Sequence, residues 1–393
     1  MTAVYKQHFS RFFSADPQRL HFAAHSHHLW PDVTRQAMLD VWDDAARLVD
    51  RKWERVFGEV VPRAQAHVAR VLDLSAPAQI AFAPSTHELV IRLLSCLEER
   101  GVLRILTTDG EFLSFVRQAA RLEEQAKVRV TRVPTEPFAT FDARFREEAS
   151  GGSFDLVYLS QVFYNSGYAV ADLPGIVRSV RDPDCLVVID GYHGWCAVPT
   201  SLRAIEDRAF YVSGGYKYAM TGEGACFMHV PAGFRLRPVN TGWFSMFGRL
   251  SAAPTARVEF PDDAFRFWGA TFDPTGLYRL NAVMEWMNGL GLSVGAIHDH
   301  VRKLQERFLS GLERRPLSLL PASALVTPRD LDHQGNFLAF RLPAAGDLGR
   351  RLREAKVEVD WRNDRLRVGF GIYQDEGDVD ALLGRLSALS AGL

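Results

Sequence analysis

The chain has 393 residues, 47% of them apolar and 24% charged, with a formal net charge of −1. That balance offers no electrostatic footprint for nucleic acid or an acidic membrane surface, and no run approaches the roughly 18 apolar residues of a spanning helix. Four scattered cysteines, Cys96, Cys185, Cys196 and Cys226, form no CxxC pair. This argues against a zinc ribbon or a disulfide framework, and with no signal-peptide pattern in MTAVYKQHFSRFF it points to the cytoplasm.

In chain order the first motif is HFAAHSHHLWPD, where His25, His27 and His28 follow the possible strand LHFAA. From about residue 79 to 230 the runs QIAFA, RILTT, VRVTRV, DLVYLS, CLVVID, AFYVS and ACFMHV alternate with amphipathic stretches. Several are apolar at nearly every position, as strands covered on both faces are. They predict an α/β fold with a mostly parallel seven-stranded sheet. Residues 240–275, rich in Pro, Gly and aromatics, read as ordered irregular structure. LYRLNAVMEWMNGLG and VRKLQERFLSGLERR then predict two helices around a glycine break. Beyond residue 315, FLAFRL, DLGRRLREA, VEVDW, LRVGF and DVDALLGRLSAL predict a smaller C-terminal α/β domain. The expected division is an N-terminal segment 1–45 packing with the small domain, a large domain 46–275 and a small domain 276–393.

Open α/β sheets bind ligands beyond the carboxyl ends of their strands, so the residues following each run are the candidates. After QIAFA, Ser85 and Glu88 fit a capping box, and a Ser85-Thr86 pair at a helix start also makes an anion site. A plain N-cap accounts for Ser85 equally well. After CLVVID stands Asp190, which could ligate a metal, cap a helix or pair with a protonated ring nitrogen. Burying it unpaired would be costly. After AFYVS comes Lys217, between two tyrosines and glycine-rich segments. It could be an ordinary loop lysine or, with its pKa lowered, an imine former. The order Lys before the glycines excludes a phosphate P-loop.

Together, a helix-start phosphate site, a strand-ending Asp and a later strand-ending Lys resemble the fold-type-I pyridoxal-phosphate enzymes. DGYHGW, GGYKYAMTGEGACFMHV and NTGWF are similar to segments of the class V aminotransferase superfamily, most of all to its kynureninase branch. The resemblance implies that Lys217 carries the cofactor as a Schiff base and that Asp190 holds the pyridine nitrogen. His193 then neighbours the cofactor, and Phe112, in DGEFLSF, stacks on its ring. It implies phosphate contacts from Ser85, Thr86 and Tyr216, a bond from Gln161 to the phenolic oxygen, and Trp243 near the cofactor or a partner subunit. Thr271 would reach the phosphate of a neighbouring subunit, which implies a homodimer with shared sites. In VEVDWRNDRLRVGFGIY, Arg367 matches the arginine that clamps an α-carboxylate, with Arg362 next in line.

The departures concern substrate. His25, His27 and His28 stand where the branch has a different substrate-side element, and Phe272 replaces a polar residue. Hydrolytic Cβ–Cγ cleavage of an amino acid, releasing alanine, is the leading expectation, with a class V aminotransferase or another β-lyase as the alternative. Persulfide chemistry needs a mobile C-terminal cysteine, and no cysteine follows Cys226. The competing classes are a metal-dependent hydrolase using the histidine cluster for zinc, which the resemblance does not call for, and a binding protein that keeps the fold without turnover.

Overall fold

All seven apolar runs form strands of one sheet in the computed structural model, which describes residues 5–249 and 257–391. Part of the segment read as ordered irregular structure, residues 250–256, lies outside the described residues. A short β1 (Leu20–His21) precedes the sheet. The sheet itself contains β2 (Ile80–Ala83), β3 (Leu103–Thr108), β4 (Val128–Val133), β5 (Leu156–Ser160), β6 (Leu186–Asp190), β7 (Ala209–Gly214) and β8 (Cys226–His229). Their order is β2-β8-β7-β6-β5-β3-β4, and only β8 runs against its neighbours. Strands β5, β6 and β7 are buried at every position, which explains their unbroken apolar character. Their register places Ser160 beside Asp190 and Asp190 beside Val212, so β5 and β6 deliver their last residues to one edge, where β7 runs two residues further.

The C-terminal strands are β9 (Phe337–Arg341), β10 (Val357–Glu358), β11 (Asp360–Arg362) and β12 (Arg365–Gly369). β11, β12 and β9 form an antiparallel sheet, while β10 pairs in parallel with β1. VEVDW, expected as one strand, is therefore two, because its halves pair with different partners.

Two large apolar cores result, with a small third cluster of Val162, Ala169 and Phe337. Leu277, Leu280 and Val283 of the helix Thr275–Gly289 belong to the large core, and so does Ile297. From Val301 onward the helix Val294–Arg314 feeds the second core, which also takes Phe22. We propose the division near residue 300, where the sequence reading put it at 275/276. The N-terminal segment serves both cores: Phe9, Leu29 and Ala37 join the large one, and Phe22 the small one. Among the described residues no helix is long and apolar enough to cross a membrane.

Candidate active site

A cavity of about 280 Å³ opens at the carboxyl edge of the large sheet. Six of the seven strands contribute, β8 through its first residue, Cys226, and the others through residues within, ending or following them. β2 leads to Ser85 and Thr86, β3 to Phe112, and β5 supplies Tyr158 and Ser160. Asp190 ends β6, followed by Tyr192 and His193, and β7 leads to Tyr216 and Lys217. Seven of the residues singled out in the sequence thus line one cavity: Ser85, Thr86, Phe112, Asp190, His193, Tyr216 and Lys217.

Lys217 is 4% exposed, with Nζ 2.8 Å from His193 Nε2 and 4.9 Å from the centre of the Tyr192 ring. Burial, then the nearby Arg367 charge, pulls its pKa down to about 7. A large share of the amine is therefore uncharged and nucleophilic near neutrality. His193 is held well below its ordinary pKa by burial and by the positive charges of Lys217 and Arg367. Asp190 accepts the Tyr192 N–H at 2.9 Å and the Tyr158 hydroxyl at 2.8 Å. Burial still pushes its pKa upward, opposed by those two donors and by Lys217. A cationic N–H placed against the remaining lone pairs would restore the carboxylate.

The Gly-rich run after Lys217 is held from outside. Arg279, on the helix Thr275–Gly289, donates Nε to the Thr221 carbonyl at 2.7 Å and Nη2 to that of Glu223. Gly222 and Gly224 have φ of +70° and +88°, backbone that side-chain-bearing residues adopt rarely. Ser85 is a true N-cap: its hydroxyl accepts the Glu88 N–H at 3.2 Å. The reciprocal half of the capping box is missing, because the Glu88 carboxylate pairs with Arg92. The helix start nevertheless borders the cavity, with its positive dipole end available to an anion.

Other expected site residues lie elsewhere. Gln161 faces away from the cavity, accepting the Tyr211 hydroxyl and donating to Thr200. Tyr158 and Ser160 share one face of β5, so the next residue turns to the other. Trp243 and Thr271 are exposed and border no part of the cavity in this chain. The three histidines diverge. His25 is buried and stacked on Phe337 at 4.6 Å, and His28 bonds the Leu29 carbonyl through Nδ1. His27 sits 3.6 Å from Glu223 at the cavity rim. Among the described residues no cluster of three His, Cys, Asp or Glu side chains is arranged to hold a metal. Arg367 lies behind the cavity wall, donating to the Tyr164 carbonyl at 2.6 Å and pairing with Asp360. Arg362 is paired with the same Asp360.

Sequence reasoning missed Tyr158, Glu111 and Asp360. Glu111 is 1% exposed beneath the cavity, accepting from Thr108, from the Ser160 hydroxyl and from the Ser160 N–H. Burial pushes its pKa up to about 7. These residues come together from β3, β5 and β11, across separations no local pattern signals; the alternation along DLVYLS could have placed Tyr158 with Ser160.

Comparison with known proteins gives a consistent setting. The family model for aminotransferase class V matches residues 33–382. An isopenicillin N epimerase of Streptomyces clavuligerus is 26% identical over 341 residues, covering 80% of this chain and 81% of that protein. A kynureninase of Salinispora tropica is 28% identical over 374 residues, covering 88% and 83%. The structure of a cysteine desulfurase from Thermococcus onnurineus NA1 superposes with a TM-score of 0.81 at 18% identity, covering 96% of each chain.

Proposed function

The chain belongs to the aminotransferase class V family and has the fold-type-I architecture, and from that premise we propose hydrolytic Cβ–Cγ cleavage of an α-amino acid, releasing alanine. Pyridoxal phosphate is the cofactor. The residues present fit it: a buried amine at Lys217 with its pKa lowered to about 7, a buried carboxyl at Asp190 with lone pairs to spare, an aromatic at Phe112, and a helix start at Ser85-Thr86. When bound, pyridoxal phosphate supplies an electrophilic carbon and a protonated ring that withdraws electrons from the substrate's α-carbon.

The chain's own groups supply the rest. Lys217 is the amine that holds the cofactor and the base placed to take the substrate's α-proton. His193, 2.8 Å from Nζ, fixes where that amine stands. Asp190, oriented by Tyr158 and the Tyr192 N–H, is the anion for the ring nitrogen. Ser85, Thr86 and Tyr216 are the phosphate contacts, and Arg367 is the clamp for the α-carboxylate. The reading of Thr271 and Trp243 as contacts to a neighbouring site makes the active form a homodimer. Both are exposed and away from the chain's own cavity, as that reading requires.

The observation that carries the amino-acid reading is the buried Lys217 amine and the buried Asp190 carboxyl lining one cavity. The cleavage reading is supported by the kynureninase relative and the Tyr216-Lys217-Tyr218 segment. Transamination or another β-lyase reaction is the second reading, favoured by the similarity to an epimerase, in which no carbon–carbon bond is cleaved. Adding kynurenine, 3-hydroxykynurenine, cysteine and ordinary amino acids to holoenzyme, with cofactor absorbance and products followed, decides among them. Alanine appearing with an aromatic acid is the expected result; keto acid alone would move the assignment to transamination. Lys217→Ala should remove turnover and the lysine-linked absorbance band together, and an unchanged spectrum would exclude Lys217.

A further inference from the structure

The fork of Arg367 is already occupied. β11 and β12 are antiparallel neighbours whose register sets Asp360 directly opposite Arg367. Asp360 Oδ2 accepts from Arg367 Nη2, and Oδ1 accepts from Arg362 Nη1 at 2.6 Å. Arg367 Nη1 is engaged by the Tyr164 carbonyl, Nε has no partner among the described residues, and the side chain is 4% exposed. A carboxylate that enters this fork must therefore displace the Oδ2 oxygen.

That oxygen has a place to go. His25 Nε2 lies 3.9 Å from it, in a ring with no exposed surface and no hydrogen bond to either nitrogen among the described residues. A shift of about 1 Å brings Oδ2 within hydrogen-bond reach of that ring, while Oδ1 keeps Arg362. The pair is written into the sheet register, and the unpartnered histidine stands beside the oxygen that has to move.

We propose that Asp360 is a positioning residue for Arg367, an internal carboxylate that occupies its fork and yields it, shifting onto His25, when a substrate carboxylate enters. This rests on the reading of Arg367 as the carboxylate clamp. Exchange of one carboxylate for another leaves the buried guanidinium paired throughout. A ligand without a carboxylate leaves Asp360 in the fork, so it neither meets the cost of displacing it nor gains the Arg367 contact. Asp360 thus weakens carboxylate ligands alone, by the cost of its own displacement from the fork.

The test is equilibrium titration of holoenzyme with L-alanine and with ethylamine, read by cofactor absorbance. Asp360→Asn removes the competing anion and should tighten L-alanine about tenfold, the worth of one charge-assisted bond, with ethylamine little changed. His25→Phe keeps the stack on Phe337 but removes the receiving ring nitrogen, and should weaken L-alanine by several-fold with ethylamine again little changed. Unaltered or weaker L-alanine binding in Asp360→Asn, or unaltered binding in His25→Phe, overturns the proposal. If Asp360→Asn yields no folded holoenzyme, His25→Phe carries the test alone. Arg367→Ala separates the two levels: L-alanine affinity unchanged there would overturn the clamp reading itself.

Discussion

Glu111 shows how one buried group ties the site to stability. Its folded pKa, about 7, stands above the ordinary 4.5, and burial is the main cause. The folded state therefore binds the Glu111 proton more tightly than the unfolded state does. The associated stability is fully present below about pH 4.5 and is lost as pH rises through about 7. Glu111→Gln cannot titrate, so its stability relative to wild type should improve by roughly 3 kcal/mol between pH 4.5 and 7. Losing an acceptor toward Ser160 adds a cost that does not depend on pH. Denaturant midpoints of both proteins across that range check this, and a flat difference would show that Glu111 does not titrate there. A second residue-scale prediction concerns Tyr158. Tyr158→Phe removes a donor to the Asp190 carboxylate, costing about 1–3 kcal/mol where the acceptor is buried. Cofactor retention on dialysis should fall accordingly, and retention equal to wild type would exclude the contact. Neither residue was legible in the sequence, because each matters through a partner 32 to 49 positions away. Lys217 and Asp190 were legible, because each follows or ends an apolar strand where an ionisable group has no ordinary reason to stand.

At the scale of elements, the helix Thr275–Gly289 works as a brace for the loop after Lys217. Arg279 binds two carbonyls of that loop, and Gly276 lets the helix approach its backbone. A Cβ at residue 276 would stand 2.6 Å from the Gly224 carbonyl carbon, so the loop or the helix must move. Gly276→Ala should cost about 1–3 kcal/mol, the range of overpacking in a well-filled contact, and should loosen cofactor at the same time. Thermal unfolding and cofactor release measure the two effects, and no change in either would mean that the contact is not tight. The central strands β5, β6 and β7 were readable because burial on both faces writes an apolar run, whereas edge strand β4 reads as an alternation with Arg129, Thr131 and Arg132 exposed. The split of VEVDW was not, since Val357, Val359 and Trp361 give one continuous alternation. The break comes from partners: β1 takes the first half and β12 the second. Gln161 was misplaced for a related reason. Strand alternation decides which side faces the ligand, and the last residue of β5, Ser160, takes the cavity side.

At the scale of the whole molecule, the site is assembled from parts that fold in different cores. Asp190 ends a strand of the large sheet and Lys217 and Phe112 follow two others, Arg367 and Asp360 belong to the small sheet, and His25 to the N-terminal segment. Asp190 and Lys217 followed from strand ends and Phe112 from the family resemblance, whereas the contacts of His25 depend on β1 pairing with β10, a contact across the chain's length. Thr271 extends the same logic to a second chain, and subunit mixing tests it. A Lys217→Ala protein lacks the cofactor amine, and a Thr271→Val protein would lack one phosphate contact in its neighbour's site. Refolded together in equal amounts, half of the dimers are mixed by chance. Each mixed dimer then holds one site with an intact Lys217 and an intact Thr271 from the other chain. Activity should exceed the average of the two parents by a quarter of the difference between wild type and the Thr271→Val protein, which is about a quarter of wild type where that protein alone is inactive. Activity equal only to the average of the two parent proteins would place Thr271 outside any neighbouring site, and each protomer would then have to complete its own phosphate shell.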